Sequence, residues 1–151
     1  MIEFIKGDLL ETGLPIIAHQ VNTLGIMGAG IAKQIAIKHP TVYEQYKAKC
    51  PAPLGTCLIV KLPNEEGTQY VANIFAQNKI GIGPCLTDYN ALHTGLTCLL
   101  TECLNMGITE VGIPARIGCG LAGGDWAGVV LPMIKEIFED NLFVKLYICE
   151  L

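Results

Sequence analysis

Two hydrophobic periods alternate along this chain. Short apolar, β-prone stretches at residues 2–5, 16–22, 56–60, 69–75, 110–114 and 142–149 read as strands. The stretch at 110–114 is short, β-branched and apolar, as a central strand should be. Between them apolar residues recur at helical spacing. Ile31, Ile35 and Ala32 predict a helix over 31–38, and Val42 and Tyr46 predict one over 41–49. Leu92, Leu96, Leu99, Leu100 and Cys103 form the buried stripe of a longer helix over 87–105, with Thr87 as its N-cap and Gly107 as its stop. His39-Pro40 separates the first two helices. A last helix follows Trp126, and Pro132 requires that it either kink there or begin near Val130.

Strands alternating with helices imply an α/β domain with helices on both faces of a largely parallel sheet. A hairpin over 56–75, turning at the polar residues 63–67, makes the sheet mixed. Ligands of such folds sit outside the C-terminal strand ends. Asp8, Asn22, Phe75 and Gly118 all fall there, and a glycine-rich loop over 77–84 follows the fourth strand.

Two glycine loops stand out at that edge. The first follows the strand ending at Asn22 and contains Gly25, Gly28 and Gly30. The second, Arg116-Ile117-Gly118-Cys119-Gly120-Leu121-Ala122-Gly123-Gly124, lies between the fifth strand and the last helix. Glycines let backbone N–H groups face a bound group without an intervening Cβ, and a helix start adds unpaired donors and a positive dipole end. Together the loops suit a diphosphate. Neither has the Gly-Lys-Ser/Thr of a P-loop. The Rossmann spacing and its acidic residue are also missing, which argues against a dinucleotide-dependent oxidoreductase.

Composition narrows the class. The chain has 151 residues, 51% of them hydrophobic and 16% charged, enough for one well-filled domain spanning 1–151. No run approaches the roughly 20 apolar residues of a membrane helix, and no signal peptide opens the chain. Seven cysteines without a Cys-x-x-Cys pair suggest reduced thiols in the cytoplasm rather than a disulfide framework or zinc ribbon. His19, His39 and His93 show no metal-ligand spacing. The net charge of −4, with Lys and Arg scattered, gives no sign of a nucleic-acid groove. A monomer that needs no metal or organic cofactor is expected.

Four motifs resemble those of a macrodomain: Lys-Gly-Asp-Leu at 6–9, Ile-Ala-His-Gln-Val-Asn at 17–22, Met-Gly-Ala-Gly-Ile-Ala at 27–32 and Arg-Ile-Gly-Cys-Gly-Leu-Ala-Gly-Gly-Asp-Trp at 116–126. They are most similar to the branch containing terminal ADP-ribose protein glycohydrolase and the yeast-type ADP-ribose-1″-phosphate phosphatase. The resemblance covers nearly the whole chain and implies a three-layer α/β/α fold that binds ADP-ribose or an ADP-ribosylated macromolecule. It implies that Asp8, beside Leu9, accepts from the adenine amino group and that Tyr147 lies near the adenine. Asn22 would face the distal ribose, with Gly28, Ala29, Gly30 and Ile31 lining that ribose and its phosphate. Gly118, Cys119, Gly120, Leu121 and Ala122 would wrap the diphosphate.

The chemistry departs from that pattern. Glycohydrolases of this branch use a lysine at the end of the fourth strand and an aspartate directly after Gly-x-Gly-Leu. Here the strand end reads Asn73-Ile74-Phe75-Ala76-Gln77, and Ala122 follows Leu121. The nearest substitutes are Lys79 and Asp125. His19 matches a histidine of the phosphatase-like members. The candidate catalytic set is therefore Asp125, His19 and Asn22, with Asp125 orienting a water. Each has a plainer role: Asp125 as a helix N-cap, His19 as a core histidine, Cys119 as a small packed residue, Phe75 and Tyr147 as core aromatics. Two functions stay open, a hydrolase acting on ADP-ribose-1″-phosphate or an ADP-ribosyl link, and a non-catalytic ADP-ribose reader.

Overall fold

A computed structural model describes residues 1–64, 66–80 and 84–151. Six strands, β1 (Ile2–Lys6), β2 (Ile16–Asn22), β3 (Cys57–Lys61), β4 (Tyr70–Gln77), β5 (Glu110–Pro114) and β6 (Lys145–Glu150), form one sheet in the order β1-β6-β5-β2-β4-β3. All neighbours run parallel except β3, which pairs antiparallel with β4 as the hairpin predicts. This order is not the 3-2-1-4-5-6 arrangement of dinucleotide-binding sheets, so the topology gives the oxidoreductase reading no support.

The helices α1 (Gly30–Lys38), α2 (Pro40–Lys49), α3 (Tyr89–Met106) and α4 (Leu131–Phe138) cover both faces. Alternation along the strands divides the apolar side chains into two cores. Ala18, Ala72 and Ile74 pack under α3 and α4 with Leu92, Leu96, Leu99, Ile134 and Phe138. Ile17, Val21, Val71 and Phe75 pack under α1 and α2 with Ile35, Val42 and Tyr46. Each fully buried leucine of the α3 stripe contributes about 1.5–3 kcal/mol relative to exposure.

Several boundaries differ from the sequence reading for identifiable reasons. The N-cap of α3 is Asp88, not Thr87: the Asp88 carboxylate accepts from the Ala91 amide at 2.9 Å. Thr87 instead forms an isolated bridge with Gln77. The final strand begins at Lys145 rather than 142, because Asn141 Oδ1 accepts from the amides of Phe143 and Val144, both at 2.9 Å, and holds them in a turn. Pro132 falls in the first turn of α4, where its missing N–H is harmless. The preceding Trp126–Val130 forms a π-helical turn that the sequence reading did not foresee. Part of the turn at 63–67 and of the loop at 77–84, namely residues 65 and 81–83, lies outside the described residues.

Candidate functional site

The C-terminal edge of the sheet opens into two adjoining cavities that share Gly30. The first, of about 330 Å³, is lined by Asn22, Gly28, Ala29, Gly30, Gly118, Gly120, Leu121 and Ala122, with Gln20, Ile26, Gln77 and Ile80 among the rest. The second, of about 590 Å³, is lined by Asp8, Leu9, Ile31, Gln34, Arg116, Trp126, Cys149 and Glu150. Cavities of this size suit small organic ligands.

Asn22 reaches the first cavity through an irregularity in the sheet. Val21 pairs with Phe75 but Asn22 pairs with Gln77, so the register skips Ala76. Asn22 then anchors the loop that follows. Its Oδ1 accepts from the Leu24 amide at 3.0 Å, and its Nδ2 donates to the Ile26 carbonyl at 2.8 Å, leaving a second N–H for a ligand. Tyr46 braces the same loop. Its hydroxyl accepts from the Ile26 amide at 3.1 Å and lies 2.7 Å from both the Asn22 carbonyl and Oδ1, and burial pushes its pKa up.

The loop ends at α1, whose N-cap, Ala29, makes no side-chain cap and whose first turn carries no acid. The leading amides and the positive dipole end of α1 are therefore available to an anion at the junction of the two cavities.

The second loop is held by its carbonyls. Gly118 O accepts from Thr87 Oγ1 at 2.6 Å and from the Gly124 amide at 3.0 Å, and Ala122 O accepts from the Leu86 amide at 2.6 Å. Among the described residues the amides of Gly120, Leu121 and Ala122 find no acceptor. Thr87 also accepts from Gln20 Nε2 at 2.9 Å, which ties the loop to β2. Position 118 favours glycine. Its φ is +72°, and a Cβ there would stand 2.6 Å from Gln20 Oε1 and 3.1 Å from Thr87 Oγ1.

At the far end of the second cavity Asp8 caps a short 3-10 turn. One carboxylate oxygen accepts from the Leu10 amide at 2.9 Å, and among the described residues the other has no partner. Arg116, at the exit of β5, adds a cation.

Several candidates lie elsewhere. Asp125 is exposed, its carboxylate accepts from the Gly128 amide at 3.0 Å as the N-cap of the π turn, and it lines neither cavity. His19 lies inside the sheet, fully buried, with Nε2 2.6 Å from Asn73 Oδ1, and burial lowers its pKa to about 4. The β2 alternation turns it onto the α1/α2 side with Ile17 and Val21. Tyr147 sits in mid-strand opposite Glu3 and Gly112. Its hydroxyl donates at 2.7 Å to Glu110, the first residue of β5, so it points away from the ligand edge. Phe75 is buried and stacks on Tyr46. Cys119 is buried, its thiol pointing at the Ile117 carbonyl, and burial raises its pKa to about 11, the opposite of an activated nucleophile. Lys79 is exposed and lines neither cavity.

Gln20, Gln34, Arg116 and Trp126 were given no role by the sequence reading. Gln20 and Arg116 carry the signal that marked Asn22 and Asp8, proximity to a C-terminal strand end. Gln34 and Trp126 are helix-side residues, visible only once the helices are docked. Among the described residues the first cavity has no acid, base or nucleophile, and no cluster of metal-ligating side chains occurs.

Comparison with known proteins agrees with this architecture. The family model described as Macro domain matches residues 18–131. An ADP-ribose 1″-phosphate phosphatase of Lodderomyces elongisporus is 33% identical over 158 aligned residues, covering 95% of this chain and 98% of that protein. A DNA ADP-ribosyl glycohydrolase of Mycobacterium tuberculosis is 29% identical over 132 residues, covering 85% of this chain but only 36% of the relative, so the chain spans about a third of that protein's length. Among solved structures, the macrodomain of Thermus aquaticus DarG superposes with a TM-score of 0.85 at 25% identity, covering 100% of this chain and 99% of that one.

Proposed function

The chain belongs to the macrodomain family, and from that premise we propose that it binds ADP-ribose across its two cavities and hydrolyses an ADP-ribose derivative, either the 1″-phosphate ester or an ADP-ribosyl link to a macromolecule. The observation that carries this reading is the pair of cavities meeting at Gly30 between two glycine loops, with the unpartnered Asp8 oxygen at one end and the Asn22 amide at the other. That order matches a ligand with a donor amino group, a central diphosphate and a distal sugar.

In this reading Asp8 accepts from the adenine amino group beside Leu9 and Ile31. The amides leading α1 and those of 120–122 hold the diphosphate, with Arg116 adding charge. Asn22, Gly28 and Ala29 hold the distal ribose. Water adds at the 1″ position as the bond to the leaving group breaks; the bonding electrons depart with that group and the water's proton ends on it. With no titratable side chain lining the first cavity, the protein contributes positioning and amide dipoles rather than general acid–base catalysis, which is worth about 10²–10⁴-fold elsewhere. Asp125 and His19 take no part in the step.

The absence of an acid or base among the described lining residues equally favours a second reading, a non-catalytic reader. All seven thiols are free, which supports a reducing, cytoplasmic setting. Titration calorimetry with ADP-ribose, followed by incubation with ADP-ribose-1″-phosphate and with an ADP-ribosylated oligonucleotide or protein, tests the proposal. We expect binding, and slow turnover of the ADP-ribosyl link whose rate is flat between pH 5 and 8. Binding without product from any of these substrates leaves the reader, and no binding overturns both readings.

A further inference from the structure

Strand alternation turns Gln20, like Ala18, to the α3 side of the sheet, at the end where it lines the first cavity. Its Nε2 donates to Thr87 Oγ1 at 2.9 Å and to Gln77 Oε1 at 3.4 Å. Gln77 Nε2 in turn donates to the Lys79 carbonyl at 2.6 Å, and Thr87 Oγ1 donates to the Gly118 carbonyl at 2.6 Å. One chain of hydrogen bonds therefore runs from the segment after β4, through the end of β2, to the second glycine loop.

The direction of that chain is fixed at both ends, because the carbonyls of Gly118 and Lys79 can only accept. Thr87 has a single hydroxyl proton and gives it to Gly118, so its Oγ1 can only accept from Gln20. Gln77 turns its NH2 to Lys79, so its Oε1 also needs a donor from Gln20. Both neighbours thus demand the NH2 of Gln20. Its Oε1 is left beside Gly118, buried and, among the described residues, without a partner.

A buried acceptor without a donor is destabilising. The opposite orientation of the Gln20 amide would give Oε1 the Thr87 proton, but it would release the Gly118 carbonyl. That carbonyl and the carbonyl of Ala122, which accepts from the Leu86 amide at 2.6 Å, tie the loop to the segment before α3. With both tied, the amides of Gly120, Leu121 and Ala122 are left for an anion, whereas a freed carbonyl would add a negative dipole end to the same loop.

We propose that Gln20 is the positioning residue of the diphosphate loop, acting through Thr87 on the Gly118 carbonyl, and that it sets a preference for ligands spanning both cavities over ligands filling the second alone. It rests on the reading that the two cavities hold ADP-ribose. A mononucleotide needs only Asp8 and the leading amides of α1, while a diphosphate with a distal ribose also needs the second loop in place.

Titration calorimetry with ADP-ribose and with AMP, on wild type, Gln20→Met, Thr87→Val and the double variant, tests this role. Wild type should bind ADP-ribose at least about tenfold more tightly than AMP, and Gln20→Met should weaken ADP-ribose roughly tenfold while AMP stays within about twofold. Thr87→Val should give the same split, and the double variant should lose no more than Thr87→Val alone, since both act through one contact. Thr87→Ser, which keeps the hydroxyl, should hold the wild-type ratio. A domain that was merely loosened would weaken both ligands together, so the ratio separates positioning from a structural role. Equal weakening of the two ligands, unchanged ADP-ribose affinity in the single variants, an additive double variant or a wild type without preference would each overturn the role of Gln20 and leave ADP-ribose binding standing. Should Gln20→Met not fold, Thr87→Val against Thr87→Ser decides. A wild type that binds neither ligand removes the functional reading, and the role of Gln20 falls with it.

Discussion

At Asp8 one carboxylate has two jobs that a substitution can separate. One oxygen caps the 3-10 turn through the Leu10 amide, and the other faces the second cavity without a partner. Asp8→Asn keeps an acceptor for Leu10 but presents an amide N–H to the cavity, so a ligand donor meets a donor. Hydrogen bonds to charged groups contribute about 1.5–3 kcal/mol. The variant should therefore bind ADP-ribose roughly ten- to a hundredfold more weakly in calorimetry, with its denaturation midpoint nearly unchanged. Equal affinity would remove Asp8 from the adenine end. Residues of this kind were legible because they follow strands, and strand ends can be read from apolar runs. Which face a side chain takes was not legible. His19 lies three residues before Asn22, but strand alternation sends it into the interior, while a skipped pairing at Ala76 redirects Asn22 towards Tyr46. Tyr147 occupies the middle of β6, and only its partner Glu110 reveals that it points to the other end of the sheet.

Among the elements, the second glycine loop depends most on one residue. Gly118→Ala would put a Cβ beside Gln20 Oε1 and Thr87 Oγ1 in a left-handed backbone, where the conformation costs about 1–2 kcal/mol. Displacing Thr87 also frees the Gly118 carbonyl that fixes the loop. Denaturant unfolding should show that loss of stability together with weaker ADP-ribose binding. Gly120→Ala is the control: a Cβ there meets nothing within 4 Å, and stability should hold. A Gly118→Ala protein as stable as wild type would mean that the loop tolerates displacement. The elements themselves were largely readable. Apolar periodicity located α1, α2, α3 and the β3–β4 hairpin, and the two glycine loops were recognisable as breaks between strand and helix. The π turn at Trp126–Val130 left no periodic signature, because five residues are too few to show one, and the competition between Thr87 and Asp88 for the cap was decided by the Thr87–Gln77 bridge. Long-range pairing of that kind is invisible to local pattern.

For the whole molecule, the interior of the sheet makes stability depend on pH. Asn73 Nδ2 donates to the Leu58 carbonyl at 3.1 Å, so its Oδ1 is the acceptor facing His19 and His19 Nε2 carries the proton. Nδ1 is buried without a partner, so protonation would place both a charge and an unmet N–H in the core, and burial holds the pKa at about 4 against an ordinary 6.5. A folded pKa below the unfolded one means that the unfolded chain takes up the extra proton between those values. The stabilisation is full above pH 6.5 and is lost as pH falls towards 4, by about 3 kcal/mol in all. Carboxylates also titrate near the lower end of that window, so the measurement is a difference. Denaturant unfolding at pH 7.5, 6.5, 5.5 and 4.5 should show wild type losing about 2–3 kcal/mol more than His19→Gln, which starts less stable but has no imidazole to charge. Parallel curves for the two proteins would place the acid sensitivity elsewhere. They would also mean that the His19 ring is charged in the core at no cost, which an unpartnered nitrogen between two packed helical layers does not permit.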